Sequence, residues 1–151
     1  EYILIGNGEG KVITIDPVDF KIIKIHQAHQ EGFGVNVIQF TPDGKRYLTG
    51  SRDAHLNVYD STSQELISSL PAHRAAIYDI AFHPSGKYFA TASRDKTLKI
   101  WDTAEMKIYQ RIDKEAGNGH GYSVNCCIWM KDLLISSGDD RTILVNEVLF
   151  Q

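Results

Sequence analysis

Residues 93–102 read SRDKTLKIWD, and two weaker copies of this stretch occur in the chain. The copies are SRDAHLNVYD at 51–60 and DDRTILVNE at 139–147. Each copy has an acidic residue that is followed by alternating apolar residues, which is the pattern of a half-buried β-strand entered from a turn. The acids that align are Asp53, Asp95 and Asp140. A stretch that recurs in phase indicates a repeat architecture.

Other polar residues fall into register when the copies are aligned on these acids. Six residues after the acid stand Tyr59, Trp101 and Asn146. Four residues before it stand Thr49, Thr91 and Ser136. Further upstream stand His29, His73 and His120. The alignment therefore predicts that His, hydroxyl and acid belong to one recurring unit of roughly 45 residues.

Each unit has the pattern of four short strands joined by turns. In the middle unit the predicted strands are 77–82, 88–93, 97–101 and 107–112, and TLKIW and KIYQRI alternate with the period of two that strands require. The four prolines fall in the connections, and no segment has helical periodicity. The sequence predicts an all-β fold in four parts: a three-stranded piece at 1–27, whole units at 28–72 and 73–119, and a three-stranded piece at 120–151.

This pattern resembles the WD40 β-propeller family over essentially the whole chain. The residues that carry the resemblance are Ala72-His73, Phe82, Pro84-Ser85-Gly86-Lys87, Ala90-Thr91-Ala92-Ser93, Asp95 and Ile100-Trp101-Asp102. The resemblance implies four-stranded antiparallel blades, about three and a half of them in this chain, in an incomplete ring.

The resemblance also implies a hydrogen-bond network in each blade. In the middle blade it would join His73, Thr91, Asp95 and Trp101. An indole N–H only donates and needs an acceptor when buried, and a buried carboxylate needs a partner, so these residue types suit one another. In the preceding blade Tyr59 would offer an O–H in place of the indole, beside His29, Thr49 and Asp53. In the last blade we expect an incomplete network of His120, Ser136 and Asp140, because Asn146 is a poor substitute for Trp.

Two explanations remain open for the number of blades. A seven-bladed ring needs roughly 280–315 residues at about 40–45 per blade, twice the length of this chain. Either the chain is the C-terminal half of a longer protein, which its stop after a third strand favours, or two identical chains form a ring. The final EVLFQ (147–151) also matches part of a protease-recognition sequence used in expression work, so it is either a remnant or a continuation of the last strand.

Composition argues against several functional classes. The net charge of −3 gives no strong attraction to nucleic acid, and no apolar run approaches the roughly 20 residues of a membrane helix. Cys126 and Cys127 are adjacent, so they point to opposite faces of a strand and cannot form a disulfide framework; this favours a reducing, cytoplasmic location. We expect no metal and no cofactor, and His26 and His29 lack a nearby ligand cluster.

The function that these observations favour is a non-enzymatic, protein-binding scaffold. A catalytic role for the Thr–His–Asp set is disfavoured because the set recurs with the period of the fold. The alternative is a propeller enzyme or small-molecule site in a central channel, for which the first strands offer only Asn36, Asp79 and Asn125.

Side chains next to the His and Asp positions should gather on one rim, where Arg and Tyr would favour protein contacts. The predicted rim residues are Gln30, Arg52, Arg74, Tyr78, Arg94, Tyr122 and Asp139. The expected partners are an acidic protein or peptide and, to complete the ring, the missing half or a second copy of the chain.

Overall fold

The computed structural model describes residues 1–150, and all regular secondary structure in that range is β-strand, with no helix. The strands are β1 (Ile3–Gly6), β2 (Lys11–Ile15), β3 (Ile22–Gln27), β4 (Val35–Phe40), β5 (Arg46–Ser51), β6 (His55–Asp60), β7 (Leu66–Pro71), β8 (Ile77–Phe82), β9 (Tyr88–Ser93), β10 (Leu98–Asp102), β11 (Lys107–Ile112), β12 (Val124–Met130), β13 (Leu133–Gly138) and β14 (Ile143–Glu147). None of the described residues forms a helix that is long and apolar enough to cross a bilayer.

The strands form four antiparallel sheets in sequence order. The first sheet is β1–β2–β3, the second β4–β5–β6–β7, the third β8–β9–β10–β11 and the fourth β12–β13–β14. Neighbours in the chain are neighbours in the sheet, which is the arrangement that short turns between strands impose. The predicted all-β class of three- and four-stranded blades is confirmed.

The chain divides into two compact units. One comprises Glu1–Phe40 and Gly44–Ile77 and holds the first and second sheets, and the other comprises Thr41–Asp43 and the chain from Tyr78 onward, with the third and fourth sheets. Each unit contains two sheets that share a core.

The core of the first unit lies between its two sheets. Val12, Tyr47 and Tyr59 are buried there, and the two tyrosine rings stack with centroids 4.9 Å apart. At Gly6 the sheets approach so closely that a Cβ atom would lie 2.7 Å from Cβ of Val35. A residue without a side chain is therefore required at this position.

The core of the second unit is larger and mainly aliphatic. Its buried residues are Ala90, Ala92, Leu98, Ile100, Ile112, Val124, Cys127, Leu134 and Val148. Two polar bonds join the sheets across this core: Trp129 Nε1 donates to the Ala81 carbonyl at 3.1 Å, and the Cys127 amide donates to Asp79 Oδ2 at 2.9 Å. Packing and hydrogen bonding together hold the fourth sheet on the third.

A tight turn with one left-handed residue joins the first two strands of the first sheet and the second and third strands of each of the other three sheets. That residue is Gly10 in the first sheet, and Ala54, Lys96 and Arg141 in the following three, with φ between 64° and 79°. In every case its amide donates to the carbonyl three residues earlier. This is a type I turn followed by a left-handed residue, a common hairpin connection, and it directs the acid of each unit toward the sheet end.

Candidate functional site

His29 joins a carboxylate and a hydroxyl at the end of the second sheet. Its Nδ1 lies 3.0 Å from Asp53 Oδ2, and its Nε2 lies 2.7 Å from Thr49 Oγ1. Burial lowers the pKa of His29, although the Asp53 carboxylate opposes this shift. The neutral ring therefore donates from Nδ1 to Asp53 and accepts the Thr49 hydroxyl proton at Nε2.

Asp53 is held by backbone donors as well as by the His29 ring. The amides of Gln30 and His55 donate to its two oxygens at 3.1 and 2.9 Å. Burial opposes ionisation and is the largest single influence on Asp53, yet the His55 amide, the His29 ring and the Gln30 amide together bring its pKa below the ordinary value. Asp53 is thus an ionised, saturated acceptor that ties the loop before β4 to the turn after β5.

The structure corrects the role predicted for Tyr59. Its O–H does not bond to Thr49 but donates to the Ala28 carbonyl at 2.9 Å, and Asn57 Nδ2 donates to the same carbonyl at 2.6 Å. The hydroxyl of a tyrosine lies at the far end of its ring, so the Tyr59 oxygen reaches past the strand to the loop. The N–H of a tryptophan, as in Trp101, lies on the side of its ring and stays beside the neighbouring strand. Tyr59 therefore anchors the loop but is outside the His29 set.

The third sheet has the predicted indole bond. Trp101 Nε1 donates to Thr91 Oγ1 at 3.0 Å, and both residues are buried. Asp95 Oδ1 accepts from the Thr97 amide and hydroxyl at 3.1 and 2.7 Å. His73 is buried and belongs to the first unit, whereas its predicted partners belong to the second, so its place in this network stays a prediction.

The fourth sheet repeats the set of the second with a different third strand. His120 Nδ1 lies 2.9 Å from Asp140 Oδ1, and its Nε2 lies 2.9 Å from Ser136 Oγ. Asp140 also accepts the Gly121 amide at 2.8 Å, and its pKa is lowered because hydrogen bonds from Thr142, His120 and Gly121 outweigh its burial. Asn146 is buried, and its Nδ2 has no partner within residues 1–150.

Sequence reasoning missed the residue two positions after each acid. The amides of His55, Thr97 and Thr142 donate to the side chain of the acid that precedes them by two. The Thr97 and Thr142 hydroxyls do so as well, each at 2.7 Å. The Asp-x-Thr spacing was the available signal, since an Asp side chain commonly accepts from the amide two residues on.

The predicted rim residues are surface residues, with Tyr78 partly buried. Exposed among them are Gln30, Arg52, Arg74, Arg94, Tyr122 and Asp139. Lys96 Nζ lies 5.6 Å from the centre of the Tyr122 ring, and Asp139 Oδ1 accepts from Asn125 Nδ2 at 2.7 Å. Their role in binding stays a prediction.

The polar candidates for a channel site are engaged with protein atoms. Asn36 Nδ2 donates to the Ile77 carbonyl at 2.8 Å, and Asn125 Nδ2 donates to Asp139 Oδ1 at 2.7 Å. Asp79 accepts the amides of Ile80 and Cys127, each at 2.9 Å. Within residues 1–150, no group of three or more His, Cys, Asp or Glu side chains is placed to hold a metal ion.

Comparison with protein families gives one match, the WD40 family, described as WD domain, G-beta repeat. The matched segments are residues 20–60, 64–102 and 114–145, which together cover more than half of the chain. The first two begin one strand earlier than the units predicted at 28–72 and 73–119, so the blade boundaries stay a proposal.

The curated relatives resemble short parts of this chain. The U5 small nuclear ribonucleoprotein 40 kDa protein of Homo sapiens is 35% identical over 40% of the chain and 18% of its own length. Actin-interacting protein 1 of Drosophila melanogaster is 28% identical over 52% of the chain and 13% of its own length. Eukaryotic translation initiation factor 3 subunit I of Candida glabrata is 29% identical over 51% of the chain and 23% of its own length. The chain therefore aligns with less than a quarter of each relative.

Proposed function

The chain belongs to the WD40 family, and on this premise we propose that it is a non-catalytic scaffold for protein–protein interactions. Its set of blades is completed by another segment or another chain, since two four-stranded and two three-stranded sheets are fewer than a closed propeller contains. The blade limits proposed are 1–27, 28–72, 73–119 and 120–151.

The single observation that carries this proposal is the burial of the His–Asp–hydroxyl sets. Thr49, Thr91 and Ser136 are buried, and Thr49 and Ser136 are bonded to their histidines. A catalytic nucleophile must contact its substrate, whereas these three hydroxyls are buried between the sheets. The sets therefore stabilise the blades and leave the surface for binding.

The relatives support the same class of function through their names. One is a component of a small nuclear ribonucleoprotein, one is an actin-interacting protein, and one is a subunit of a translation initiation factor. Each of these names describes a protein that acts together with other macromolecules. The cytoplasmic location stays a prediction from the unpaired cysteines.

The binding surface that we assign is the rim, and its partner is an acidic protein or peptide. Arg52, Arg74 and Arg94 are exposed. Arginine binds carboxylates through two parallel N–H donors and is enriched at the centres of protein interfaces. Arg52 and Arg94 occupy the same repeat position, directly before the acid, and Arg74 directly follows the histidine of its unit.

The test compares Arg52→Ala/Arg74→Ala/Arg94→Ala with a control that removes the same charge elsewhere, Lys21→Ala/Lys87→Ala/Lys107→Ala. All three control lysines are exposed. Proteins captured from a cell extract by the tagged wild-type chain are identified by mass spectrometry, and the affinity of a purified partner is then measured for each variant. We expect at least a tenfold loss for the arginine variant only.

Both variants must first show the far-ultraviolet circular dichroism spectrum and melting temperature of the wild type. Equal affinities for the arginine variant and the wild type would move the binding site to other surfaces. Loss in both triple variants would mean that net charge, and not the rim, determines association.

A further inference from the structure

The chain contains the tripeptide Gly-Asn-Gly twice, at residues 6–8 and 117–119. The main-chain nitrogen that follows an asparagine can attack the side-chain amide carbon, and glycine favours the attack because no Cβ atom crowds its nitrogen. The identical tripeptides therefore give Asn7 and Asn118 nearly the same intrinsic reactivity. The folded structure, however, restrains the two side chains differently.

Asn7 is held by hydrogen bonds in the turn between β1 and β2. Its Oδ1 accepts the amides of Glu9 and Lys11 at 3.0 and 2.9 Å. On the main chain, its amide donates to the Lys11 carbonyl and its carbonyl accepts the Val35 amide, each at 3.0 Å. An Asn side chain that accepts from the amide two residues on is a common turn motif. Attack on Asn7 therefore requires two side-chain bonds to break in a residue whose main chain is held on both sides.

Asn118 is exposed in the loop between β11 and β12. In the described chain, neither its side chain nor the amide of Gly119 forms a hydrogen bond. The attacking nitrogen and the carbon that it attacks are therefore both unrestrained by polar contacts. The reaction at Asn118 requires no hydrogen bond to break, in contrast to the reaction at Asn7.

The structure also requires glycine directly after Asn118. A Cβ atom at Gly119 would overlap the Cα and carbonyl carbon of Asp113, so the two ends of the loop are in main-chain contact. The Asp113 carboxylate stabilises the loop further by accepting the Ala116 amide at 2.9 Å. At Gly8, by contrast, no atom of residues 1–150 beyond the chain neighbours would lie within 4 Å of a Cβ. A larger residue therefore fits at Gly8, whereas the loop admits only glycine at Gly119.

The loop leads directly into the hydrogen-bonded set of the fourth sheet. His120 follows Gly119, is buried, and bonds to Asp140 and Ser136. The amide of Gly121 donates to the same Asp140 carboxylate at 2.8 Å. A change in the main chain just before this histidine therefore acts on the position of its ring.

We propose that Asn118 is a site of spontaneous deamidation and isomerisation, and that the isomerised product weakens the fourth sheet. The Gly119 nitrogen attacks Cγ of Asn118 and forms a bond to it. The bond from Cγ to Nδ2 breaks, and Nδ2 leaves as ammonia with the proton of the Gly119 amide. Water then opens the cyclic imide at either of its two carbonyl groups, which yields aspartate or isoaspartate. The reaction needs no oxidant, reductant or enzyme.

The two products should differ in their effect on the fold. Aspartate places one negative charge on an exposed side chain and leaves the main chain unchanged. Isoaspartate carries the same charge but adds one carbon to the main chain before Gly119. Because Gly119 is in contact with the main chain of Asp113, the additional carbon displaces the segment that positions His120. The stability of the fourth sheet should therefore decline as isoaspartate accumulates.

The test follows both asparagines in the purified full chain during incubation in mildly alkaline buffer. Peptide mass spectrometry detects the replacement of an amide by a carboxylate, and enzymatic methylation quantifies isoaspartate. We expect Asn118 to react at least about tenfold faster than Asn7, whose two side-chain hydrogen bonds must break first. In concentrated urea the two rates should converge, because the tripeptides are identical.

Asn118→Gln is the matched control, since it keeps an exposed amide but must close a larger ring to react. The incubated wild type should melt about 3 °C below the fresh protein once isoaspartate predominates. Incubated Asn118→Gln and fresh Asn118→Asp should both melt like the fresh wild type.

Three results would overturn the proposal. One is an equal rate at Asn7 and Asn118 in the folded chain, and another is a rate difference that persists in urea. The third is a sample rich in isoaspartate that melts like the fresh protein, since the added main-chain carbon would then have no effect on the fourth sheet.

Discussion

The His–Asp–hydroxyl sets of the second and fourth sheets have nearly the same geometry in different surroundings. The histidine Nε2 lies 2.7 Å from Thr49 in one and 2.9 Å from Ser136 in the other. The third strands differ: Tyr59 donates to the Ala28 carbonyl, whereas Asn146 Nδ2 has no partner within the described chain. The histidine comes from the loop, the hydroxyl from the second strand and the acid from the turn. The set therefore forms with different residues on the third strand.

The two sets differ in how deeply they are buried. The side chain of Asp53 is 7% exposed and that of Asp140 is 15% exposed, although both histidine side chains are fully buried. The stacked rings of Tyr47 and Tyr59 belong to the second sheet only. Because a hydrogen bond to a charged group gains strength as water is excluded, the second sheet should depend more on its set than the fourth.

Removing the histidine should have the largest effect and should separate the two sheets. We expect His29→Ala to lower the free energy of unfolding by about 2–3 kcal/mol, since it leaves a buried carboxylate and hydroxyl without their partner. His120→Ala should cost about 1–2 kcal/mol, because water reaches Asp140 more easily. Urea denaturation followed by hydrogen exchange in each sheet measures both.

The control for this comparison is a double-mutant cycle. His29→Ala/Asp53→Ala should lose clearly less than the sum of the two single variants, because the partners share one interaction. Additive losses would show that the two residues act independently. An equal loss for His29→Ala and His120→Ala would show that burial does not separate the two sheets.

Lowering the pH measures how much the neutral forms of His26 and His29 contribute to the stability of the first unit. Burial lowers the pKa of His29 and of His26, with Lys24 adding to the shift at His26, whose ring nitrogens have no partner within the described chain. A histidine with a lowered folded pKa takes up its proton first in the unfolded state. Stability should therefore fall as the pH drops below about 6.5, by at most about 1.4 kcal/mol per pH unit for each histidine.

His26→Phe separates the two histidines in this experiment. Phenylalanine keeps a ring beside Tyr59, whose centroid lies 5.4 Å from that of His26, and it cannot be protonated. The variant should lose less stability than the wild type between pH 6.5 and pH 5 in urea titrations. Below about pH 4 both proteins should weaken further, since Asp53 and Asp140 have lowered pKa values and their contribution disappears as they are protonated. If the variant and the wild type lose equal stability between pH 6.5 and pH 5, protonation of His26 does not cause the loss.

The third-strand position offers a smaller test with opposite signs in the two sheets. Asn146→Leu should stabilise the fourth sheet by about 1 kcal/mol, because it removes a buried amide nitrogen that has no partner. Asn57→Leu should destabilise the second sheet by less than about 1 kcal/mol, because it removes the hydrogen bond from Asn57 Nδ2 to the Ala28 carbonyl but also removes a buried Oδ1 that has no partner within residues 1–150. Thermal melts of the two variants give the signs. A loss at Asn146 would indicate that its amide is bonded in solution.

Sequence reasoning reached the strands and the His–Asp–hydroxyl sets of the second and fourth sheets because these follow from repeat position, whereas the place of His73 stays a prediction. Alternating residues define the faces of a strand, and equal spacing from Asp53, Asp95 and Asp140 places equivalent atoms at equivalent points. The Tyr59 bond could not be derived in this way, because its acceptor is a loop carbonyl whose position depends on the path of the chain before β4.

The left-handed turn residues give the smallest expected effect and show what the two sheets share. Only Gly10 marks this conformation in the sequence, whereas Ala54 in the second sheet and Arg141 in the fourth adopt it with φ of 68° and 64°. A left-handed conformation costs roughly 1–2 kcal/mol for a residue with a Cβ atom, and glycine avoids this cost. Glycine also raises the conformational entropy of the unfolded chain, which offsets part of the stability that is gained. We expect Ala54→Gly and Arg141→Gly each to raise the free energy of unfolding by about 0.5 kcal/mol, measured by urea denaturation. Arg52→Gly, in the same turn but outside the left-handed region, should lose stability. A loss at both Ala54 and Arg141 would mean that neither turn is strained, whereas a gain at one and a loss at the other would mean that the resemblance between the two sheets ends at their hydrogen bonds.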